Sequence, residues 1–172
     1  LGTFIYSGSG AQNSGTGLPN GVDTTNVLII DKLSGNLTIN ASNTLHIKDS
    51  LYIKSGGFNL GNQDLHLYGN MRKASGASFQ HNSRNVVIKG LASDTLTSEN
   101  YNEGIAFYNL TISKSASSGN VMLDTLTWIQ IDNNLSFSNN KSVIDATSKK
   151  SPSNQLYVTF GISATVTGAD HY

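Results

Sequence analysis

Apolar side chains stand at every second position through short stretches of this chain. The pairs are Leu37/Ile39, Leu45/Ile47, Leu51/Ile53, Leu65/Leu67, Leu110/Ile112, Val121/Leu123, Ile129/Ile131 and Leu135/Phe137, with the triplet Leu156/Val158/Phe160. A step of two places both members on one face of a strand and turns the intervening Thr, His, Tyr or Ser toward water. Turn clusters such as Ser55-Gly56-Gly57, Ser117-Ser118-Gly119-Asn120 and Ser138-Asn139-Asn140 separate the pairs. Helical periodicity is absent, and Pro19 and Pro152 are the only prolines, so the strands are free to donate their ladder hydrogen bonds. The pattern predicts an all-β protein.

The spacing of the strands chooses among all-β architectures. Sandwiches and meander barrels join strands by hairpins, yet Asn20-Gly21 is the one Asn-Gly or Asp-Gly step, and it precedes the strand-rich region. Strands instead come in close groups: Leu37–Ile39, Leu45–Ile47 and Leu51–Ile53 fall within 17 residues. Asn-led apolar patches then recur at Asn36, Asn59, Asn85, Asn109, Asn134 and Asn154, with steps of 23, 26, 24, 25 and 20. A repeat of that length suits one turn of a solenoid. The prediction is a right-handed parallel β-helix (β-solenoid) with coils of about 24 residues, three-sided, with one Asn at the same corner of each coil. The tetrapeptide Asn-Leu-Thr-Ile at 36–39 returns unchanged 73 residues later at 109–112, which reads as three coils.

Domain organisation follows from the same pattern. Residues 1–22, rich in Gly and Ser, read as a flexible linker or cap; residues 23–172 read as the solenoid segment, with 92–104 as an excursion from one coil. No closing cap is visible between Gly161 and Tyr172, so the solenoid is expected to continue beyond the fragment.

Composition narrows the function classes. Eleven basic residues balance 11 acidic ones, and no basic stripe exists, which removes the electrostatic case for nucleic acid. Only 13% of residues are charged, about half the usual share, and Asn, Ser, Thr and Gly fill the difference. Cysteine is absent, which excludes disulfides, thiolate metal sites and cysteine nucleophiles. No apolar run reaches the roughly 18 residues of a membrane helix, so no membrane span is expected in this segment.

The phrases Phe107-Tyr108-Asn109-Leu110-Thr111-Ile112, Gly119-Asn120-Val121-Met122-Leu123 and Ile131-Asp132-Asn133-Asn134-Leu135-Ser136-Phe137 resemble the repeats of large secreted surface proteins of Bacteroidota. The stretch from Gly35-Asn36-Leu37-Thr38-Ile39 to Gly57-Phe58-Asn59-Leu60-Gly61-Asn62 is similar too, and the resemblance covers about residues 26–170. It implies a β-solenoid section of a cell-surface adhesin or gliding-motility filament, secreted by the type IX route. Expected partners are surface glycans, other cell-surface proteins or secretion-system components. The chain departs from the family phrase in carrying His46, Lys48, Lys54 and His66 at outward positions, and no sorting domain of such exports is read within residues 1–172, so the export route is expected from the resemblance alone.

Candidate chemistry is sparse. His46 and His66 alternate with apolar neighbours and read as outward surface residues, a metal pair only if coils stack them; His81 and His171 have no such context. No His-x-x-x-His or Asp-x-Asp-x-Asp-Gly pattern occurs, so no metal or other cofactor is assigned. The rival class is a carbohydrate-active parallel β-helix enzyme, a polysaccharide lyase or hydrolase, which needs paired carboxylates. Its candidates are Asp23/Asp31, Asp49/Asp64, Asp94/Glu99/Glu103 and Asp124/Asp132/Asp145, scattered at turn-like positions with no Asp-Asp or Asp-x-Asp. Trp128, Tyr52, Tyr68, Tyr101 and Tyr108 could stack on sugar rings. The expectation is a non-enzymatic segment with no catalytic residue, its ligand-binding residues unassigned.

Overall fold

The computed structural model describes residues 2–15, 18, 25–40, 43–115, 119–138, 143–145, 158–160 and 165–167. Strand accounts for 66% and helix for 1%, and the strands form a parallel β-solenoid of about five turns with coils about 24 residues apart. The strands begin with β1 (Gly2–Gly8), β2 (Gln12–Asn13), β3 (Thr25–Thr38), β4 (Leu45–Asn59) and β5 (Leu65–Leu67). Next come β6 (Asn70–Lys73), β7 (Ser78–Gln80), β8 (Asn85–Gly90), β9 (Asp94–Ser98) and β10 (Ile105–Lys114). The last are β11 (Val121–Leu123), β12 (Ile129–Phe137), β13 (Ile144–Asp145), β14 (Val158–Phe160) and β15 (Thr165–Thr167).

The coils present three faces, and among the described residues the strand segments pair with counterparts above and below, except on the second face, where β7 pairs with β4 alone and Ile105–Phe107 of β10 with β12 alone. One face stacks Phe4, Leu28, Leu51, Met71, Leu96 and Leu123 in register. A second stacks Leu37, Phe58 and Phe79, then Phe107 and Ile131, with the Phe79 and Phe107 rings 5.9 Å apart bridging the two runs. The third stacks Leu45, Leu65, Val86, Leu110 and Leu135. From Leu28, Leu37 and Leu45 onward, all of these but Phe79 are buried, so the three columns together make the narrow core. Both members of seven predicted inward pairs, from Leu37/Ile39 to Ile129/Ile131, are buried; in the eighth, Leu135 is buried and Phe137 half-buried.

Four expectations change. The Asn residues do not share one corner: Asn85, Asn109 and Asn134 are register partners on the third face, whereas Asn36 and Asn59 lie on the second. For the same reason the repeated tetrapeptide marks two faces, and 73 residues is not a whole number of coils. An Asn followed by alternating apolar residues suits any corner that leads into a strand. Residues 92–104 contain β9, a regular strand paired with β6 and β11, so this stretch is a coil wall and not an excursion. Within residues 1–22, β1 pairs with β3 and β2 with the end of β3, so strands already stack there. The Asn154 rung, Asp23, His171, Pro19 and Pro152 lie outside the described residues.

Polar groups also enter the interior. Lys114 is fully buried and ion-paired to the buried Asp94, and its Nζ also donates to the carbonyls of Lys89 and Ala92, both at 2.9 Å. Lys73, 5% exposed, reaches Glu103 Oε2 at 3.1 Å and the Ala77 carbonyl at 3.0 Å. Lys32 donates to Gln12 Oε1 at 2.5 Å, in the coil beneath. At the rim of another turn, Trp128 lies where a Cβ on Gly104 would stand only 2.4 Å away, so glycine lets the indole sit flat on the neighbouring coil.

Leu110→Asp should destabilise the fold by about 4 kcal/mol or more, because it buries an unpaired charge at a site with no exposed surface. Thermal melting followed by circular dichroism measures this, and wild-type stability would contradict the core assignment. Removing one partner of the Lys114–Asp94 pair, as in Asp94→Ala, should cost about 3–5 kcal/mol, while Lys114→Met with Asp94→Leu should be nearly neutral. Chemical denaturation of these two variants beside the wild type reads the difference.

Candidate functional site

The second face, where it turns toward the third, carries a groove lined by carboxamides. Asn13, Asn40, Asn59, Asn62, Gln63 and Asn82 converge on a cavity of about 540 Å³, with Thr38 on its floor. They come from four successive coils, because Asn13 pairs with Thr38 and Thr38 with Asn59, and the next rung carries Gln80. Among the described residues, no Asp, Glu, Lys or Arg lines the groove.

Half of this surface is fixed by its own hydrogen bonds. Gln80 Oε1 accepts from Asn59 Nδ2 at 2.7 Å and from Asn36 Nδ2 at 3.2 Å. The Asn36 side chain reaches Gln80 across Gly57, where a Cβ would stand 2.0 Å from Asn36 Oδ1. Asn59 Oδ1 accepts from Gly61 N at 2.7 Å and from Asn82 Nδ2. Asn82 and Ser83 adopt left-handed backbone (φ 48° and 57°) in a turn closed by Arg84 N donating to the His81 carbonyl at 2.9 Å, and this aims Asn82 into the groove. The other half is available: among the described residues, the exposed carboxamides of Asn13, Asn40 and Asn62 have no hydrogen-bond partner in the protein.

Beside Asn82, the His81 ring lies 5.9 Å from that of Tyr108 and contacts Asp132 Oδ2 at 2.9 Å. The backbone N–H of Ser83 donates to His81 Nδ1 at 3.1 Å, so Nε2 carries the proton toward Asp132. Asp132 Oδ1 also accepts from Gln130 at 2.6 Å. This half-buried clamp joins two coils across the Tyr108 rung.

The remaining carboxylates are each engaged separately. Asp31 pairs with Lys54 at 2.6 Å, and that hydrogen bond lowers its pKa. Glu99 pairs with Arg72 at 2.6 Å, and Glu103 is lowered first by the Gly76 N–H and then by Lys73. Asp64 accepts from the Asn85 backbone and side chain at 2.9 and 2.8 Å. Asp124 is lowered by the Thr125 N–H and sits in a cleft with Arg72 and Glu99, while Asp49 is exposed on β4. Burial raises Asp94, against the pull of Lys114. Asp145 lies on β13 at the end of the first face, apart from Asp132 on the second.

His46 and His66 do stack on adjacent coils, with ring centroids 4.7 Å apart. Lys48 lies 3.9 Å above the neighbouring Tyr68 ring, and Lys89 acts on His66, so the surroundings are cationic. No group of three or more metal-ligating side chains forms among the described residues. Trp128 is half-buried on Gly104 and donates from Nε1 to the Tyr101 carbonyl at 2.8 Å, so it packs on the adjacent coil. Tyr52 holds Arg72 at 4.9 Å, and Tyr101 is exposed.

No protein-family model, curated protein or solved structure matches the chain. Among the described residues, no helix is long and apolar enough to cross a membrane.

Burial, reinforced by Lys89 and His46 and opposed by Asp64, lowers His66 from 6.5 to about 4. The fold therefore favours neutral His66. That contribution is complete above the unfolded value near 6.5 and is lost as pH falls toward 4. Melting temperature should drop across this window, and His66→Gln should flatten the profile.

Proposed function

We propose that the chain is a structural and adhesive segment of a large extracellular or cell-surface bacterial protein, serving surface attachment, gliding or filament formation. The observation that carries this reading is the distribution of polar groups over the stack. The described carboxylates among the enzyme candidates are mostly held by partners of their own, and the two that share a cleft, Glu99 and Asp124, are tied up there by Arg72 and the Thr125 N–H, while amides and hydroxyls line the outward groove. A parallel stack rises about 4.8 Å per coil, so about five turns form a short rod of roughly 25 Å whose sides are available for contact. The resemblance to Bacteroidota surface repeats agrees with this role and suggests type IX export and a cell-surface location. Surface glycans, other surface proteins and secretion components are the partners this role implies.

The alternative, a polysaccharide lyase or hydrolase, has one observation in its favour, the His81–Asp132 pair beside Tyr108. A second carboxylate opposite it is missing among the described residues, and we read the pair as a clamp between coils.

Antibodies against the folded segment should label intact, unpermeabilised source cells, and deletion of its coding region should reduce attachment to surfaces. Labelling only after permeabilisation would overturn the assignment. Incubation of the segment with polysaccharides should release no new chain ends; release abolished by Asp132→Asn would establish the enzymatic reading instead.

A further inference from the structure

We propose that the carboxamide groove binds an uncharged glycan chain running along the solenoid axis. This rests on the adhesive reading and names its ligand. Three features of the groove point to that chemistry. Its described lining residues are all neutral, so they offer nothing to compensate the charge of an acidic polysaccharide, a nucleic acid or a charged peptide. Its polar groups are carboxamides, which present a donor and an acceptor side by side and so match hydroxyls, which also do both. Its members include a fixed wall (Asn59, held by Gln80 behind it, and Asn82) and a set with free capacity (Asn13, Asn40 and Asn62).

The fixed wall lowers the ordering cost of binding, since those rotamers are already held. The free set supplies the bonds a ligand would make. The groove crosses four coils, or three rises of about 4.8 Å, giving roughly 14 Å of length along the axis. That length favours a stretch of chain over a single sugar. The half-buried His81 and Tyr108 rings, 5.9 Å apart and next to Asn82, add an aromatic edge that a further sugar of the same chain can contact. A groove this open, exchanging water for sugar hydroxyls, gives weak binding per site, and repeated coils or copies on a surface add avidity.

A neutral peptide strand is the closest competitor, and the direction of the groove disfavours it. The backbone groups of β3 and β4 are paired above and below, and a peptide added to β2 or β7, which among the described residues pair on one side only, would run with the strands and so across the groove, not along it.

The test is titration of the ¹⁵N-labelled segment with cellohexaose, mannohexaose, a galacturonate hexamer and a Gly-Ser hexapeptide, following backbone and side-chain amide resonances. At least one neutral hexasaccharide should shift the Asn40, Asn59, Asn62 and Asn82 side-chain signals, and the acidic hexamer and the peptide should not. The triple variant Asn13→Ala, Asn40→Ala, Asn62→Ala removes exposed carboxamides that hold nothing in the fold. It should keep the wild-type melting temperature and lose at least about tenfold in affinity, since each lost hydrogen bond is worth a few-fold or more. Shifts confined to other surfaces, preference for the acidic hexamer or the peptide, no binding by any sugar, or unchanged affinity of the folded triple variant would each overturn the proposal. Attachment of cells displaying the triple variant separates the two readings. Retained attachment with no sugar bound in the groove defeats the groove and leaves the adhesive role standing, whereas wild-type cells that fail to attach defeat the adhesive role itself.

Discussion

Register between successive coils is the constraint on which the rest of this molecule depends. Each strand carries side chains alternately inward and outward, so a slip of one residue between coils would carry Leu110 or Ile53 into water and His66 or Tyr52 into the core. Backbone hydrogen bonds alone do not choose the register, because they recur at every second position along a parallel ladder. The choice comes from the three apolar columns, in which Leu28 must meet Leu51 while Leu65 meets Val86. Once those columns are aligned, the outward positions align as well. The His46–His66 stack, the Asn85–Asn109 hydrogen bond at 2.8 Å and the Thr111–Ser136 hydroxyl contact at 3.0 Å are results of that alignment.

Much of the architecture was legible in the sequence because its core positions are occupied by unambiguous apolar residues. Leu45/Ile47, Leu65/Leu67 and Leu110/Ile112 could be assigned to the interior by alternation alone. The wall at β9 was not, because two of its three inward positions are Asp94 and Ser98, which read as turn formers. Their burial makes sense only once Lys114 and Thr127 stand on the neighbouring coil, where Ser98 N donates to Thr127 Oγ1 at 2.6 Å. In β1, the alternation of Phe4 and Tyr6 was present but sat beside Gly- and Ser-rich sequence that suggested flexibility.

The groove was still less legible, for a geometric reason. Its members lie between Asn13 and Asn82 and share no local motif, so finding them needs the register of four coils. That register does not follow from a constant repeat, since the step between stacked partners runs from 20 residues (Leu45 to Leu65) to 31 (Leu135 to Val166). The abundance of Asn in a chain with few charged residues was the one visible sign. Periodicity drew attention to the Asn residues that lead strands, and these proved to serve two faces; Asn40, Asn62 and Asn82, at corners, had no periodic signal.

The way each strand finds its partner one coil away has a consequence for how such a chain comes into being. Nothing in the described stack waits for a distant end of the sequence: every rung is completed by residues 20 to 31 positions away. A chain delivered end first through a narrow opening could therefore fold as it emerges, each new coil laid upon a finished template of strand edges and apolar columns. Every coil so added also blocks backward sliding, because a folded rod is wider than an extended chain. The stacking that builds the molecule would then act as a ratchet during its delivery, with folding free energy supplying the direction.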